Sequence, residues 1–499
     1  MKKKIQEPPI KNSFIDKWVE NLELNSENVK KVLGDSADYV TREITVNSKH
    51  NVKVHMACID GLINHQYISD YILKPLVNDV RLATVEDENT LFEYIEQGLI
   101  YFTDQKSFTE MGTLVDAVLS ANTVLIFDGL NKAIGFDTKG FQMRSITTPT
   151  EETSIRGSKD TFVETIRVNT ATIRRKIKSS NLRIEDMTIG SMSNTMVSVV
   201  YMENMVNKIM LKELKERLKK VDAEEVLFAG IIEESIIDEK HTTFPQVDYT
   251  EKPDKFCISI ADGKIGLLID GIPFSMIMPI ALVDMFQTTD DYTINQFFTS
   301  SIRKIRYFLA SVSLVLPGFF IAVATFHQQL LPSRLTVSII TSREGVPFPL
   351  FFEVLILVLA FQVLIEAGTR IYSSIGSMIS LVGALVVGDA AIGAKFVSPA
   401  AVVVVATAAI SNYAIPNRDL ANALWIWELV LLMFSTFIGI FGLAIGLVLM
   451  IATLCSIEVL GVPYMSPFLD TNTFKGLKDS FIRPRLDKKE SPDYIQRIK

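Results

Sequence analysis

The sequence predicts two folds in two solvents: an α+β, α/β cytoplasmic N-terminal domain of two subdomains, followed by an α-helical polytopic membrane domain of about five to six transmembrane helices. Three observations predict it. The 499 residues are 48% hydrophobic with a mean hydropathy of +0.26, too apolar for an average soluble protein. The apolar excess falls almost wholly after Phe308, while the first three hundred residues read as ordinary soluble sequence. Finally, the run GVPFPLFFEVLILVLAFQVLIEAGTR, residues 345–370, is long enough to cross a bilayer and yet carries acids.

Composition also sets limits on function. A formal charge of -7 supplies no broad basic surface, so no nucleic-acid partner is expected. Cys58, Cys257 and Cys455 are odd in number and scattered, which argues for a reducing compartment rather than a disulfide framework. The opening MKKKIQEPPIK is basic but lacks an apolar core, so the N-terminal half is expected in the cytoplasm.

Five segments follow from the pattern. Residues 1–48 form an N-terminal extension with a short amphipathic stretch at Phe14, Trp18 and Leu22. Residues 49–150 form the first α/β subdomain. VKVHMACID, residues 52–60, alternates as a strand, and HQYISDYILKPLV has helical spacing up to a helix-ending Pro75. TVLIFDGLNKAIGFD folds back at Asp128 and Gly129 as a hairpin. Residues 151–290 form the second subdomain. Its first helix starts at Thr161 and ends in Arg174, Arg175, Lys176 and Lys178, where cations suit a helix C-terminus. MVSVVYM reads as a buried strand and MVNKIMLKELKERLKKVD as a one-faced helix. FCISIADGKIGLLIDGIPFSMIMP reads as closing strands with a hairpin turn at Asp262 and Gly263.

No chemistry of catalysis emerges from this half, and the chain is not expected to be an enzyme. The Asp-Gly pairs lack the spacing of a phosphate loop or dinucleotide fingerprint. His50, His55, His65 and Cys58 crowd one region, but His55 and Cys58 point to opposite faces of a strand, so no metal site and no cofactor is assigned. No nucleophile and base stand at a useful spacing.

The membrane domain, 291–465, opens with TINQFFTSSIRKIRYF. Its apolar face (Ile294, Phe297, Phe298, Ile302, Ile305) beside Arg303, Lys304 and Arg306 reads as an interfacial helix on a cytoplasmic leaflet. A first span starts at Phe308 and is expected to kink at Pro317 and Gly318. The second is the acid-bearing run, whose helix begins after Pro347 and Pro349. Within it Gln362 and Glu366, four apart, share a face, and Glu353 lies about half a turn round from Gln362. A third span places Gly376, Ser380, Ala384 and Gly388 at four-residue spacing, a seam for close helix approach. It leads to Asp389 and Lys395, which can pair only if the helix breaks between them or a second subunit contributes. After a fourth apolar stretch, the run 425–460 is too long for one crossing. It fits two spans folded near Gly439, with Gly442 and Gly446 allowing them to pack. The basic tail, 466–499, is expected in the cytoplasm, which an even number of crossings satisfies. Glu353, Gln362, Glu366 and Asp389 are thus the candidate pore or gating residues, since acids at membrane depth usually face protein or water.

Several blocks in one order resemble the A-subunit family of bacterial spore germinant receptors, over about residues 60–484. They are DGLINHQYISDYILKPL, IRGSKDTFVETIRVNTATIRRKIKSSNLRIE, FPQVDYTEKPD, GKIGLLIDGIPF, FHQQLLPSRLTVSIITSREGVPFPLFFE, IEAG, and LVGALVVGDAAI followed by VSPAAVVVVATAAISNYAIP. The resemblance implies a multi-pass protein of the spore inner membrane that works with B and C subunits. It also implies a homo-oligomer, a pentamer, conducting monovalent cations during germination, with nutrient sensing placed in the B subunit. Three positions depart from the family pattern: Gln362 where Glu is common, Asp389 where Gln is common, and Lys395 where a small residue or Gly is common. A non-conducting signalling scaffold of the germination complex is the alternative, and a secondary transporter lacks the expected inverted pair of broken helices.

Overall fold

The computed structural model describes residues 19, 21–140, 152, 157–370, 389–468 and 478–484. They divide into two compact units. One comprises the chain up to Ile236 together with Tyr249–Met278, and the other comprises Ile237–Asp248 and the chain from Pro279 onward.

The first unit contains two five-stranded sheets with helices packed on them. The first sheet has strands β1 (Tyr39–Thr45), β2 (Lys53–Ile59), β3 (Gln105–Phe108), β4 (Asn122–Phe127) and β5 (Lys132–Asp137), in the order β1-β2-β4-β5-β3. The described pairs are antiparallel. The hairpin β4–β5 turns over 128–131, as the Asp-Gly signal predicts, and Val124 opposes Gly135. Helix α1 (Ser26–Leu33) is capped by Asn25, whose side chain accepts from the Asn28 amide. Helix α2 is built from His65–Tyr67, the π-helical Ile68–Leu73 and Lys74–Asn78. Pro75 therefore lies inside this helix instead of ending it. Its missing amide falls where the ladder passes from five-residue to four-residue spacing, the Lys74 amide still reaching the Ser69 carbonyl. Helices α3 (Glu88–Tyr94) and α4 (Met111–Leu119) complete the layer.

The second sheet has β6 (Leu182–Ile189), β7 (Thr195–Met202), β8 (Asp248–Thr250), β9 (Ile265–Ile269) and β10 (Ser275–Met278), in the order β6-β7-β9-β10-β8. Its helices are α5 (Ile166–Lys176), α6 (Lys208–Lys219), α7 (Ala229–Ile236) and α8 (Pro253–Ala261). Two sequence expectations fail here. The stretch from Phe256 to Ala261 is helical, because Pro253, Phe256, Cys257 and Ile260 bury one face at a spacing of three and four. The hairpin turn accordingly moves from Asp262 and Gly263, which close helix α8, to the link between β9 and β10. Helix α5 begins five residues after Thr161, since Asn169 folds its side chain back onto the amide and carbonyl of Val163 and holds the preceding residues extended.

The two sheets are joined by a buried ion pair. Arg174 donates from Nε to Asp38 Oδ2 at 2.6 Å and from Nη2 to Asp38 Oδ1 at 3.0 Å, and Nη2 also reaches Ser36 Oγ at 2.8 Å. The side chains are 2% and 1% exposed. A backbone bond from the Ala37 amide to the Ile184 carbonyl lies alongside. Arg174, which the sequence presents as one of four cations at a helix end, is the strut between subdomains.

The second unit is helical. Helix α9 (Gln296–Thr325) is long enough to span a membrane, as are α11 (Leu350–Arg370) and α13 (Arg418–Ile438). Between them lie α10 (Ser333–Ser342) and two shorter apolar helices, α12 (Pro399–Asn412) and α14 (Ile440–Ser456). The sequence separates an interfacial helix from the first span. The structure joins them into α9, which continues through Pro317. The apolar residues Phe297, Phe298 and Ile305 are exposed, as a lipid-facing surface requires, but Arg303, expected beside them at the headgroups, is fully buried. Arg303 donates to Asp291 at 2.9 Å and to Asp479 at 2.9 Å, and Arg306 donates to the same Asp291 at 2.9 Å. Charges paired inside protein leave the apolar face outward. Tail residues 478–484 are thereby tied to the base of α9, with the Arg483 amide donating to Ser300 Oγ.

Candidate functional site: the acid-bearing membrane helix

Helix α11 starts where the proline signals predict. Pro349 leads into it, its carbonyl accepting from the Phe352 and Glu353 amides. Leu350, Glu353, Val354, Leu357 and Val358 form its buried stripe, while Phe352, Ile356, Leu359 and Val363 form an exposed one.

Glu353 belongs to the buried stripe and is fully enclosed. Its Oε1 accepts from Arg343 Nε at 3.1 Å and its Oε2 from the Ser398 amide at 3.1 Å. Ser398 is the N-cap of α12, so one carboxylate occupies the first turn of its own helix and the N-terminal end of a second. Both helix dipoles favour a negative charge there, and Arg343 neutralises it. This makes Glu353 the joint where α10, α11 and α12 meet.

The other polar positions diverge from it. Gln362 is half-buried and Glu366 exposed, on the edge of the exposed stripe, about 13 and 20 Å along the axis from Glu353. Asp389 is exposed and lies in the helical turn ahead of Lys395. That helix does break. The Phe396 amide reaches the Ala391 carbonyl and the Lys395 amide the Ile392 carbonyl, with Lys395 at φ 54. This is a helix terminator that favours glycine, so Lys395 bears a backbone cost that a Gly would not. Its side chain lies against Gly345, where an added Cβ would stand 2.9 Å from Lys395 Nζ. The four acid and amide candidates are thus not brought together within one chain.

The seam candidates divide likewise. Gly376, Ser380, Ala384 and Gly388 lie outside the described residues. Gly439, at φ 66, separates α13 from α14. A Cβ at Gly442 would stand 2.0 Å from the Phe434 carbonyl oxygen, and one at Gly446 2.5 Å from Leu431 Cδ2. Close approach of the two helices requires glycine at Gly442, which meets backbone, whereas at Gly446 the Leu431 side-chain end has room to shift.

Sequence reasoning overlooks Glu428, an acid within α13. It is 8% exposed and has no ion-pair or hydrogen-bond partner among the described residues. A lone acid in the run LWIWELVLLMF is a readable signal, because ionisable groups inside a span seldom serve packing. Arg343, the partner of Glu353, carries no such signal, since only the fold brings it near.

A two-sheet α/β half followed by a bundle with three membrane-length apolar helices, one opened by a paired internal acid, defines a polytopic membrane protein with a large non-membrane domain. The family model described as Bacillus/Clostridium GerA spore germination protein matches residues 27–494, and the chain belongs to that family. It is 35% identical over 463 residues to spore germination protein KA of Bacillus subtilis (strain 168), covering 93% of this chain and 84% of that one. It is 30% identical over 469 residues to spore germination protein GerLA of Bacillus cereus, covering 94% of each. Among solved structures it is similar to the N-terminal domain of the A subunit of the Bacillus megaterium spore germinant receptor GerK3. That match has 29% identity, a TM-score of 0.40, and covers 51% of this chain and 94% of that one.

Proposed function

We propose that this chain is the A subunit of a nutrient germinant receptor in the spore inner membrane. In this reading it oligomerises, as a pentamer, around a path for monovalent cations and acts with B and C subunits to trigger germination. Its N-terminal unit and basic tail lie in the cytoplasm. Glu353 anchors helix α11, while Gln362 and Glu366 face the path and Asp389 stands near its entrance. Gly442 and Gly446 let α14 pack on α13 within one subunit.

The observation that supports this reading is the polarity of α11. Its one wholly buried acid is turned into the chain, whereas Gln362 and Glu366 lie on the edge of the face that a single copy leaves exposed. A carboxylate turned to lipid costs about 2.5 to 3.5 kcal/mol, so that edge suits water shared with neighbouring copies. The test is potassium flux from liposomes containing the assembled complex. Glu366→Gln should change the flux while assembly persists, and an unchanged flux would refute the assignment. A non-conducting scaffold is the second reading, favoured by the complete structural use of Glu353; it requires that no preparation conducts.

A further inference from the structure

The twelve residues Ile237–Asp248 leave the first unit after helix α7 and return to it at Tyr249, yet they pack as part of the second unit. Their fold is prepared from within. Gln246, buried, accepts from the Asp238 and Glu239 amides at 3.1 and 3.2 Å and donates to the Glu239 carbonyl at 2.6 Å, closing the neck of the loop. Its tip is a plug. Phe244, 2% exposed, stacks on Trp427 of α13 with ring centroids 6.2 Å apart and an interplanar angle of 21°, and it also meets Tyr464. Three polar bonds flank the plug. Trp427 Nε1 donates to Thr243 Oγ1 at 3.1 Å, the Leu460 amide to Asp238 Oδ2 at 2.8 Å, and Asn417 Nδ2 to Asp248 Oδ1 at 3.3 Å. Asn417 is the N-cap of α13, its side chain accepting from the Leu420 amide.

We propose that this strap is the transmission element of the molecule, a conformational device that passes a change in the N-terminal unit to the first turns of helix α13. The inference does not depend on ion conduction. A closed-neck loop is stiff, because its residues cannot rearrange without losing the Gln246 bonds. Both of its ends continue into secondary structure of the first unit, α7 on one side and β8 on the other. Displacement of those ends moves Phe244, and Phe244 moves Trp427 and the cap at Asn417. Mere passage of the chain would need neither a buried aromatic plug nor a bond to a helix cap.

Coupling is measured by a double-mutant cycle read through amide hydrogen exchange of the full chain in lipid nanodiscs. Arg174→Lys perturbs the first unit at its subdomain strut, and Phe244→Ala removes the plug. In the wild-type background Arg174→Lys should speed exchange in residues 418–427 at least threefold. In the Phe244→Ala background that effect should vanish, and Phe244→Trp should restore it. An equal effect of Arg174→Lys with and without Phe244 overturns the proposal, and so does no effect in either. If Phe244→Ala unfolds α13 outright, Gln246→Ala, which opens the neck and spares the plug, takes its place with the same two outcomes.

Discussion

Each unit has a buried acid paired with an arginine, Asp38 with Arg174 in one and Glu353 with Arg343 in the other, and the two pairs differ in one respect. Arg174 and Asp38 are both sealed from water, whereas in the pair of Arg343 with Glu353 the acid is sealed and the arginine is 30% exposed. The first pair is closed from both sides and tied to Ser36 and the β6 backbone, so it serves as a fixed strut. The second keeps one side in contact with solvent, at a meeting point of three helix ends, so its partner can leave without stranding an arginine in a dry interior. The difference teaches how much each pair costs to break: pairing alone does not decide, but the exposure of the partner left behind does.

The comparison can be broken most forcefully at the strut. Asp38→Ala should destabilise the N-terminal unit by about 3 to 5 kcal/mol, because Arg174 is left buried and unpaired. Its urea midpoint would fall accordingly, and a shift below about 1 kcal/mol would show that the pair is not closed as described. The matching change at the joint, Glu353→Gln, should cost less, about 1 to 3 kcal/mol, since Arg343 can turn to water and the amide still accepts from Ser398. A comparable effect, about 1 to 3 kcal/mol, is expected for Gly442→Ala, whose methyl meets the Phe434 carbonyl. Thermal melting of the full chain in detergent reads both.

The smallest effect sharpens the comparison without breaking it. Burial pushes the Cys58 and Cys257 thiols up to about 12, so both stay neutral and slow to alkylate at neutral pH. A raised thiol favours the folded state most below its ordinary value of about 8.5, and that preference declines as pH rises through the range up to the folded value. Iodoacetamide labelling should therefore report unfolding of each sheet separately. Rapid labelling of native Cys58 at neutral pH would contradict the packing of β2.

Much of the architecture was legible because its signals are local. The alternation of 52–60, the Asp128-Gly129 turn and the double proline before Leu350 each name an element from a few residues. What escaped was non-local or mixed. Strand β6 keeps Leu182 and Ile184 inward but carries Glu185 and Asp186, which pair with Lys215 and Arg167 elsewhere, so its alternation is obscured. Helix α8 reads as strand until Pro253 is recognised as its first residue. The partners of Arg174 and Glu353 stand 136 and 10 residues away, and no spacing rule links either pair. At the site, sequence marked Glu353, Gln362 and Glu366 alike as intramembrane polar groups. Only the packing of α12 against α11 separates the anchored acid from the exposed edge.

That separation is the central claim, and one paired measurement tests it: potassium flux and thermal midpoint recorded on the same reconstituted complexes carrying Glu353→Gln or Glu366→Gln. The account predicts that Glu366→Gln alters flux at least threefold with an unchanged midpoint, while Glu353→Gln lowers the midpoint. It is contradicted if Glu366→Gln leaves flux untouched, or if Glu353→Gln alters flux with no loss of stability.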